Sequence, residues 1–579
     1  MIRTAALTIT APPLRSSFSE PLPKPDGVLG RLIRRTSRLA QLRDSQPPIR
    51  GSGVAIDNLV HMMTRELQPL QWMFYLPPQA EAATRDWLAS SYHSSVPVNT
   101  SSFPALATDA IDDTALDVWL DPGGAMPLCL RLRNSYSREP YPVISVQHTL
   151  SPHVLLALYF PSLISETTYP WDTAICSTKA SATSFRSLLQ CARQTHFGDI
   201  GEAPNYRGRI EVIPLPVDTE TFAPGDRGLR RRALHIPAEA FVILYLGHVS
   251  PSKADLRPFL APLKEVVRNA KRKQVLFIVA GTSDSENPEY DACLRKRIAE
   301  ESLDQTVLMW GSVPASEKLH LYQAADVFFS PSDTLAESFG LTPVEAMACG
   351  VPQLVSDWDG YRETVVQGQT GFRIDTIWAP CDGDLISSGD VLGSAFDHLV
   401  LAQSVAVDLR QWKERLLQLM ENAELRMTMA EASRRRALEA YSYRAVGRLY
   451  SDLMEELALC RANAGHTACA PGQARRAHYY DCFGHYATLQ LREDTKLEIC
   501  DGLGPSAGDA ATREWQVIGP RQTLDVRSLR SILGLLEKGA MTVGELYGSQ
   551  ETASASAVAN MNRHIMWLIK FGIVKPTFQ

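Results

Sequence analysis

The sequence lacks several features that would place it in particular classes of protein. Its longest apolar run, which begins at His153, is about half of the ~20 residues that a membrane-spanning helix needs. The ten cysteines include no Cys-x-x-Cys pair and no nearby set of histidines, which argues against a disulfide framework and against a zinc site. The first 20 residues contain no uninterrupted apolar core and do not predict a secretion signal. We therefore expect a cytoplasmic protein that has free thiols and at most peripheral contact with membranes.

An excess of positive charge is also missing. The formal net charge is -6 and the isoelectric point is near 6.1, whereas proteins that coat nucleic acids are usually basic. The apolar content of 45% and the charged content of 21% are ordinary for a folded protein. Because a domain has roughly 100–200 residues, the 579 residues predict about three domains.

Strand-like and helix-like segments alternate twice along the chain, and each alternation predicts a parallel sheet covered by helices on both faces. The first alternation fills residues 1–225, in which the Pro- and Arg-rich run 11–50 is interpreted as an insertion or a loose arm. The second fills residues 226–459 and ends in closing helices. Residues 460–477 are interpreted as a linker, and residues 478–579 as a small α+β module similar to a winged helix.

The stretch "ESFGLTPVEAMACG" carries the main chemical signal of the second domain. Glu337 precedes a predicted helix and Glu345 follows eight positions later, within that helix. We expect the helix to begin near Leu341–Pro343, where its unpaired N–H groups suit a phosphate. Gly340 would let the backbone approach a ligand closely. Two carboxylates could then hold hydroxyls at both ends of a ligand with central phosphates, which is the layout of a nucleoside diphosphate sugar.

A second motif, "YLGHVSPSKADL", supplies candidate groups for a diphosphate. Gly247 closes a strand, His248 follows it, and Lys253 stands five residues after the histidine. Lysine binds phosphate as a point charge, and a cation is needed where the charge of a departing diphosphate grows. No Asp-x-Asp pair stands where it would hold a metal on that diphosphate, so we expect neither a metal nor another cofactor.

Together, these motifs resemble retaining glycosyltransferases of family 4. The Glu-x7-Glu motif of that family is matched by Glu337 and Glu345, and three further stretches are similar to family segments: "VIPLPVDTETFAP", "SDWDGYRETVVQGQTGF" and "YSYRAVGRLYSDLMEEL". The resemblance covers roughly Tyr141 to Leu459. It implies the GT-B fold, in which two Rossmann-like doubly wound domains face each other, here with the winged-helix-like module added.

The resemblance also implies a role for each matching residue. Glu337 would contact hydroxyls of the transferred sugar as a positioning group, Glu345 would bind the ribose, and Lys253 would stabilise the diphosphate. Val313 would lie at the edge of the base, and His148 would lie near the sugar and phosphate. Backbone amides would hold the sugar and the phosphates, and they belong to Ser338, Phe339, Gly340, Leu341 and Thr342.

Two departures from the family pattern concern the leaving group and the acceptor. The family usually has Arg-x4-Lys, whereas this chain has His248 in the place of the arginine, alongside Gly247 in the predicted donor site. A histidine side chain is charged only in part near neutral pH, which would weaken stabilisation of the diphosphate. Gly51 and Gly53 match the early glycine-rich acceptor loop, or else form the turn before a helix.

The sequence thus predicts a metal-independent retaining glycosyltransferase with a UDP- or GDP-type sugar donor and a glycan, lipid-linked or protein acceptor. The alternative is a catalytically weak nucleotide-sugar-binding scaffold that acts through its C-terminal module. Two further alternatives are a sugar-sensing transcription factor and a GT-B epimerase or phosphorylase. From Arg475 to Gln579 the net charge is only +1, so for this module we expect a protein partner, acceptor docking or self-association rather than nucleic acid.

Overall fold

A computed structural model describes most of the chain, in two compact units, Met1–Gln473 and Ala474–Gln579. The predicted insertion 11–50 and most of the predicted linker lie outside the described residues. The described residues are 4–8, 51–67, 71–76, 98–102, 116–137, 140–150, 155–198, 204–270, 274–283, 289–381, 385, 394–464, 489–503, 506–515, 524–549 and 555–578.

The first unit contains two parallel sheets, and the first of them has seven strands in the order β3-β2-β1-β4-β5-β6-β7. Every neighbouring pair runs parallel. The strands are β1 (Thr4–Thr8), β2 (Gln71–Leu76), β3 (Val98–Ser102), β4 (Val118–Asp121), β5 (Val143–Gln147), β6 (Thr173–Cys176) and β7 (Arg209–Val212).

The second sheet has six strands in the order β10-β9-β8-β11-β12-β13, again with parallel pairs throughout. Within each sheet the first six strands follow the doubly wound order 3-2-1-4-5-6. All residues of the central strand β8 are buried and apolar, as expected for a strand covered on both faces. The strands are β8 (Phe241–Leu246), β9 (Val275–Ala280), β10 (Val307–Gly311), β11 (Val327–Ser330), β12 (Gln353–Ser356) and β13 (Gly371–Ile374). These sheets confirm the predicted GT-B fold class.

Helices cover both sheets, and a long one runs along the first domain again after the second sheet is complete. The helices are α1 (Gly51–Glu66), α2 (Met126–Tyr136), α3 (Phe160–Ser165), α4 (Lys179–Phe197), α5 (Arg227–Ala233), α6 (Leu260–Asn269), α7 (Tyr290–Glu300), α8 (Ala315–Ala324), α9 (Leu341–Ala348), α10 (Tyr361–Thr364), α11 (Ser394–Ala402), α12 (Leu409–Glu421), α13 (Ala423–Arg436) and α14 (Tyr443–Asn463). The short pair β14 (Thr376–Ile377) and β15 (Ala406–Val407) is antiparallel. Short turns of other helix types occupy Leu155–Tyr159, Arg257–Phe259 and Ala437–Tyr441.

Helix α14 connects the two domains because it packs against α1 of the first. A Cβ atom at Gly447 of α14 would lie 2.6 Å from the Cβ of Glu66, so the glycine permits the close approach of the two helices. The core around this contact mixes residues of both domains, among them Leu59, Met62, Phe339 and Tyr450. The domains therefore share one hydrophobic cluster behind the crevice that they form.

The second unit is a small α+β module. Its sheet has the order β17-β16-β18 with antiparallel pairs, and its helices bury an apolar core that includes Leu529, Ile565 and Leu568. The elements are β16 (Lys496–Ile499), α15 (Ala507–Trp515), α16 (Val526–Leu536), β17 (Met541–Thr542), α17 (Val543–Ser549), α18 (Ala555–Lys570) and β18 (Val574–Thr577). The predicted helices and final strand are present, and similarity to a winged helix stays a prediction.

Several sequence predictions are corrected by the structure. Gly51 and Gly53 lie in the first turns of α1 rather than in a loop, because the helix begins at Gly51. The predicted linker from residue 460 begins inside a helix, since α14 extends to Asn463. The longest apolar run, which begins at His153, is buried only in part: Phe160, Leu163 and Ile164 of α3 are buried, whereas Leu158 is 63% exposed. Among the described helices, none is long and apolar enough to cross a membrane.

Candidate nucleotide-sugar site

The candidate site lies at the carboxyl ends of β8 and β11, which are neighbours in the second sheet. The loop after β8 carries His248 and Lys253, and the loop after β11 carries Glu337. Parallel strands end on the same edge of a sheet, so two loops far apart in sequence meet there. Helix α9 follows the second loop and presents its N-terminus to the same edge.

Lys253 and Glu337 are in direct contact. The Nζ atom of Lys253 lies 2.5 Å from Oε2 of Glu337, and the two side chains are 33% and 13% exposed. The loop that holds Lys253 is fixed from below, because the carbonyl of Lys253 accepts a hydrogen bond from the amide of Asp333 at 3.3 Å. His248 is exposed, and its carbonyl accepts a hydrogen bond from the Tyr245 hydroxyl at 2.7 Å. The lysine and the first glutamate of the predicted donor site are therefore brought together.

The start of α9 requires the glycine that precedes it. Gly340 has φ = +90°, and a Cβ atom there would lie 2.3 Å from a ring carbon of Tyr361. Because glycine has no side chain that could accept their hydrogen bonds, Gly340 leaves the first N–H groups of the helix without a side-chain cap. The helix begins at Leu341 with Pro343 in its first turn, which confirms the predicted start. Leu341 and Thr342 are half-buried in this turn.

Glu345 is buried rather than open. Its side chain is 1% exposed, and its Oε2 atom accepts a hydrogen bond from the Tyr322 hydroxyl at 2.8 Å. The same oxygen is paired with the ammonium group of Lys318. Sequence reasoning missed both partners, although their spacing of four residues places them on one face of α8.

Three further predicted residues lie after the carboxyl ends of strands in the second sheet. Gly247 directly follows β8, and its amide donates to the carbonyl of Ala280 at 3.0 Å. Val313 follows β10, is half-buried and packs against a core cluster of the second domain. Phe339 is buried, and its ring meets that of Tyr441 edge-on at 5.6 Å.

His148 follows β5 in the first domain. Its Nε2 atom donates to the carbonyl of Pro122, 2.6 Å away, which leaves Nδ1 as the other ring nitrogen of a neutral imidazole. Burial lowers the pKa of His148, and the hydrogen bond to Pro122 opposes this effect only in part. In this neutral state Nε2 is already used as a donor, and Nδ1 can accept a hydrogen bond.

The two domains are joined across the crevice next to Glu337. The hydroxyls of Ser177 and Thr178 donate to the carbonyl of Ser338 at 3.2 and 3.1 Å. The carboxylate of Glu363 accepts the first two amides of α4, those of Lys179 at 2.9 Å and Ala180 at 3.0 Å. A glutamate of the second domain thus caps a helix of the first domain, where the negative charge also favours the helix dipole. The sequence alone did not indicate this role for Glu363.

We expect Glu363→Ala to loosen this crevice in the absence of ligand. Each lost hydrogen bond to a charged acceptor contributes about 1.5–3 kcal/mol, so the closed arrangement should become less populated. Small-angle X-ray scattering should then give a larger radius of gyration for the variant than for the wild type. Glu414→Ala, at an exposed position of α12, is the control. Equal radii for Glu363→Ala and the wild type would contradict this interpretation.

Asp333, beneath Lys253, is a buried acid that the sequence did not single out. Its side chain is 7% exposed, and its Oδ1 atom has no hydrogen-bond partner among the described residues. Burial, and next to it the nearby charge of Asp255, raises the pKa of Asp333 to about 8. The folded protein therefore keeps this carboxyl protonated at neutral pH.

We expect Asp333→Asn to stabilise the protein by an amount that grows with pH. In the unfolded chain the aspartate ionises above about pH 4, whereas in the folded chain it ionises only near pH 8. The stability that this group contributes is full below pH 4 and is lost as the pH rises towards 8, and asparagine has no such dependence. The melting temperatures of both proteins, measured from pH 5 to pH 8, should diverge as the pH rises. A difference that is constant over this range would contradict the assignment.

No group of three or more histidine, cysteine, aspartate or glutamate side chains within the described ranges could hold a metal ion. The expectation of metal-independent chemistry stays a prediction.

Comparison with known proteins identifies the second domain. The family described as "Glycosyl transferases group 1" matches residues 226–377. A D-inositol 3-phosphate glycosyltransferase of Segniliparus rotundus is 31% identical over 173 residues, which are 30% of this chain and 37% of that protein. The protein of the same name from Nocardia farcinica is 31% identical over 190 residues, which are 32% of this chain and 42% of that protein. The alignments thus span less than half of the length of these relatives.

Among solved structures, HepE from Anabaena in complex with UDP covers 79% of this chain and 100% of its own, at 16% identity and a TM-score of 0.49. The family match contains strands β8 to β13 together with Lys253, Glu337 and Glu345. Residues 226–377 are therefore a glycosyl transferases group 1 domain, carried within a GT-B architecture.

Proposed function

We propose that this protein is a retaining, metal-independent glycosyltransferase that moves a sugar from a UDP- or GDP-sugar to a glycan, lipid-linked or protein acceptor. One observation carries the proposal: Lys253 and Glu337 meet at the end of two neighbouring parallel strands, directly before the uncapped start of α9. At this point the cation can stabilise the leaving diphosphate, the carboxylate can accept hydrogen bonds from the sugar hydroxyls, and the amides of the helix start can bind phosphate oxygens. The donor would lie against the second domain and the acceptor against the first.

In this proposal each group acts on a part of the donor. Lys253 exchanges Glu337 for a diphosphate oxygen and stabilises the negative charge that grows as the bond between the sugar and the diphosphate breaks. Glu337 then positions the sugar through its hydroxyls, and the amides from Ser338 to Thr342 hold sugar and phosphate. His148 offers an uncharged hydrogen-bonding group from the first domain. The acceptor attacks from the face that the diphosphate leaves, and a phosphate oxygen takes the acceptor's proton, so the anomeric configuration is retained.

The second candidate is a weak nucleotide-sugar-binding scaffold, and the exposed His248 favours it. Arginine is charged at any pH at which a protein is folded, whereas a histidine side chain is charged only in part near neutrality. If transfer is slow because this residue lacks a permanent charge, His248→Arg should raise kcat by about tenfold or less. A pure scaffold would show no turnover in either protein.

For the C-terminal unit we propose contact with a protein, with the acceptor or with a second copy of this chain. Exposed apolar side chains on and after α18, Met566 and Phe571, are 48% and 41% exposed. The net charge of +1 from Arg475 to Gln579 offers little attraction for nucleic acid. Light scattering of the full chain and of a chain that ends at Asn463 would show whether this unit drives self-association.

The proposed donor site is tested with a thermal-shift panel of nucleoside diphosphates and their sugars, with and without EDTA. A ligand that binds only the folded state raises the melting temperature by mass action. We expect one base to stabilise the wild type, with no effect of EDTA, and the shift to be lost in Glu345→Gln. Glu301→Gln, which alters a similarly paired glutamate at the end of α7, is the control. No shift with any nucleotide would contradict the proposal, and a shift abolished by EDTA would contradict metal independence.

A further inference from the structure

The pair formed by Lys318 and Glu345 differs from an ordinary surface ion pair. Glu345 is 1% exposed and Lys318 is 18% exposed, so both groups give up most of their hydration. A buried ion pair seldom adds net stability over apolar side chains of similar size, because desolvation offsets the attraction. A functional role of the Glu345 carboxylate therefore explains this ion pair better than a contribution to stability does.

The two carboxylate oxygens of Glu345 differ in their contacts. Lys318 and Tyr322 both contact Oε2, and Oε1 takes part in neither contact. Tyr322 is fully buried, and burial, together with the charge of Glu345, raises the pKa of its hydroxyl well above the usual value, so the hydroxyl stays a donor. The orientation of the carboxylate is thus fixed from one side by two donors.

Aromatic rings hold the lysine in place. The ammonium group lies 5.5 Å from the centre of the Phe222 ring and 6.0 Å from that of Tyr322, within the range of cation–π attraction. The two rings meet edge-on at 6.0 Å. Phe222 belongs to the segment that joins the two domains, so the position of the lysine depends on residues outside its own helix.

We infer that Lys318, with Tyr322, holds Oε2 of Glu345 so that Oε1 faces the ribose hydroxyls, which makes Lys318 a positioning residue that sets the preference for ribose over deoxyribose nucleotides. The inference rests on the proposed function, because it takes Glu345 as the ribose-binding group. A carboxylate held in one orientation can accept a ribose hydroxyl without losing rotational freedom on binding, which raises affinity. Without the lysine, the carboxylate would turn towards other partners and the discrimination would fall.

The test compares affinities for UDP and 2′,3′-dideoxy-UDP, or for the guanosine pair if the thermal-shift panel selects GDP. Isothermal titration calorimetry is done on the wild type, on Lys318→Met and on Lys264→Met. The last variant is the matched control, because Lys264 is a half-buried lysine that is paired with Glu301 at 3.1 Å in the same domain. We expect the wild type and the control to prefer the ribose nucleotide by about tenfold or more, since hydrogen bonds to a charged acceptor are lost in the analogue.

In Lys318→Met the Kd for UDP should rise about tenfold while the Kd for the dideoxy analogue hardly changes, so that the ratio approaches one. A merely structural role would weaken both ligands alike and keep the ratio, which would overturn the inference. Tighter binding of UDP would also overturn it, because it would show that the lysine blocks the site. If Lys318→Met fails to fold, Tyr322→Phe keeps the ring, removes one of the two donors and should reduce the same ratio by a smaller factor.

The outcome separates the inference from the proposed function. If the wild type binds UDP or GDP and binds the dideoxy analogue equally well, the proposed nucleotide site stands. The role of Glu345 and Lys318 at the ribose is then refuted. A wild type that binds neither nucleotide would refute the proposed function and this inference together.

Discussion

Replacing Lys253 with methionine is expected to slow sugar transfer by about 10²–10³-fold, the usual cost of losing one preorganised group that stabilises charge in a transition state. The methionine side chain is similar in length to lysine and keeps its apolar stem, but it has no charge. Charge on the leaving diphosphate grows as the bond to the sugar breaks, so the loss should appear mainly in kcat. The Kd for the nucleotide should change less, because helix amides still hold the phosphates.

Steady-state kinetics with the donor selected by the thermal-shift panel would measure this effect. The change in stability should be small, since Lys253 is 33% exposed and its contact with Glu337 is screened by solvent. Lys264→Met serves as the control for the loss of a half-buried ammonium group elsewhere in the domain. A kcat within about threefold of the wild type, at equal folding, would remove Lys253 from the leaving-group role and leave that role to another cation.

Arg133→Met is expected to give the largest loss of stability, about 3–5 kcal/mol in the free energy of unfolding. Arg133 and Asp172 are 1% and 0% exposed, and they form two parallel contacts, Nη1 to Oδ1 at 2.5 Å and Nη2 to Oδ2 at 3.0 Å. The guanidinium also donates to the carbonyls of Tyr141 at 2.9 Å and Thr167 at 3.1 Å. The variant would leave a buried carboxylate without its counter-charge and the Tyr141 carbonyl without this donor, whereas the Thr167 carbonyl keeps the side-chain amide of Asn134 at 2.9 Å.

Two matched variants separate the charge from the packing in this prediction. Arg131→Met, on the same helix, removes an arginine that is 46% exposed and should cost less than about 1 kcal/mol. Adding Asp172→Asn to Arg133→Met should recover part of the loss, since asparagine is neutral and its single side-chain oxygen can still accept one of the two amides, of Val143 and Tyr169, that the carboxylate accepts. Urea denaturation followed by circular dichroism would measure all four proteins. A loss equal to that of Arg131→Met would show that the buried pair does not hold the first domain together.

The local sequence was sufficient where periodicity and turn residues determine the structure. Apolar runs such as Phe241–Leu246 predicted the central strands, and the Gly-Leu-Thr-Pro sequence predicted a start of α9 near Leu341–Pro343, where the helix does begin, at Leu341. The order of the sheet then places the ends of β8 and β11 side by side, which explains why Lys253 and Glu337 could be expected to meet.

Elements with little apolar character were missed. Strand β3, Val98–Ser102, is mostly polar, and β13, Gly371–Ile374, begins with a glycine and contains an arginine, so neither gave a clear apolar pattern of its own. Both lie at the edge of a sheet whose central strands supply the hydrogen-bonding template. Gly51 and Gly53 were matched to a glycine-rich acceptor loop or to the turn before a helix, whereas both lie in the first turn of α1.

Contacts between distant segments could not be predicted from a single sequence. Nothing local to Glu363 indicates that it caps a helix that begins at Lys179, 184 residues earlier. The partners of Glu345 on α8 become recognisable only once the strand order brings the two helices together. Such contacts depend on topology, and they determine how the candidate site is held.

The most direct test of the account is to follow a nucleoside diphosphate sugar by ¹H and ³¹P nuclear magnetic resonance while the wild type acts on it in the presence of EDTA. The account predicts release of the nucleoside diphosphate and a sugar product that first appears with the anomeric configuration of the donor, with both signals growing about 10²–10³-fold more slowly in Lys253→Met. An inverted product, or no release of the nucleoside diphosphate from any donor that the protein binds, would contradict it.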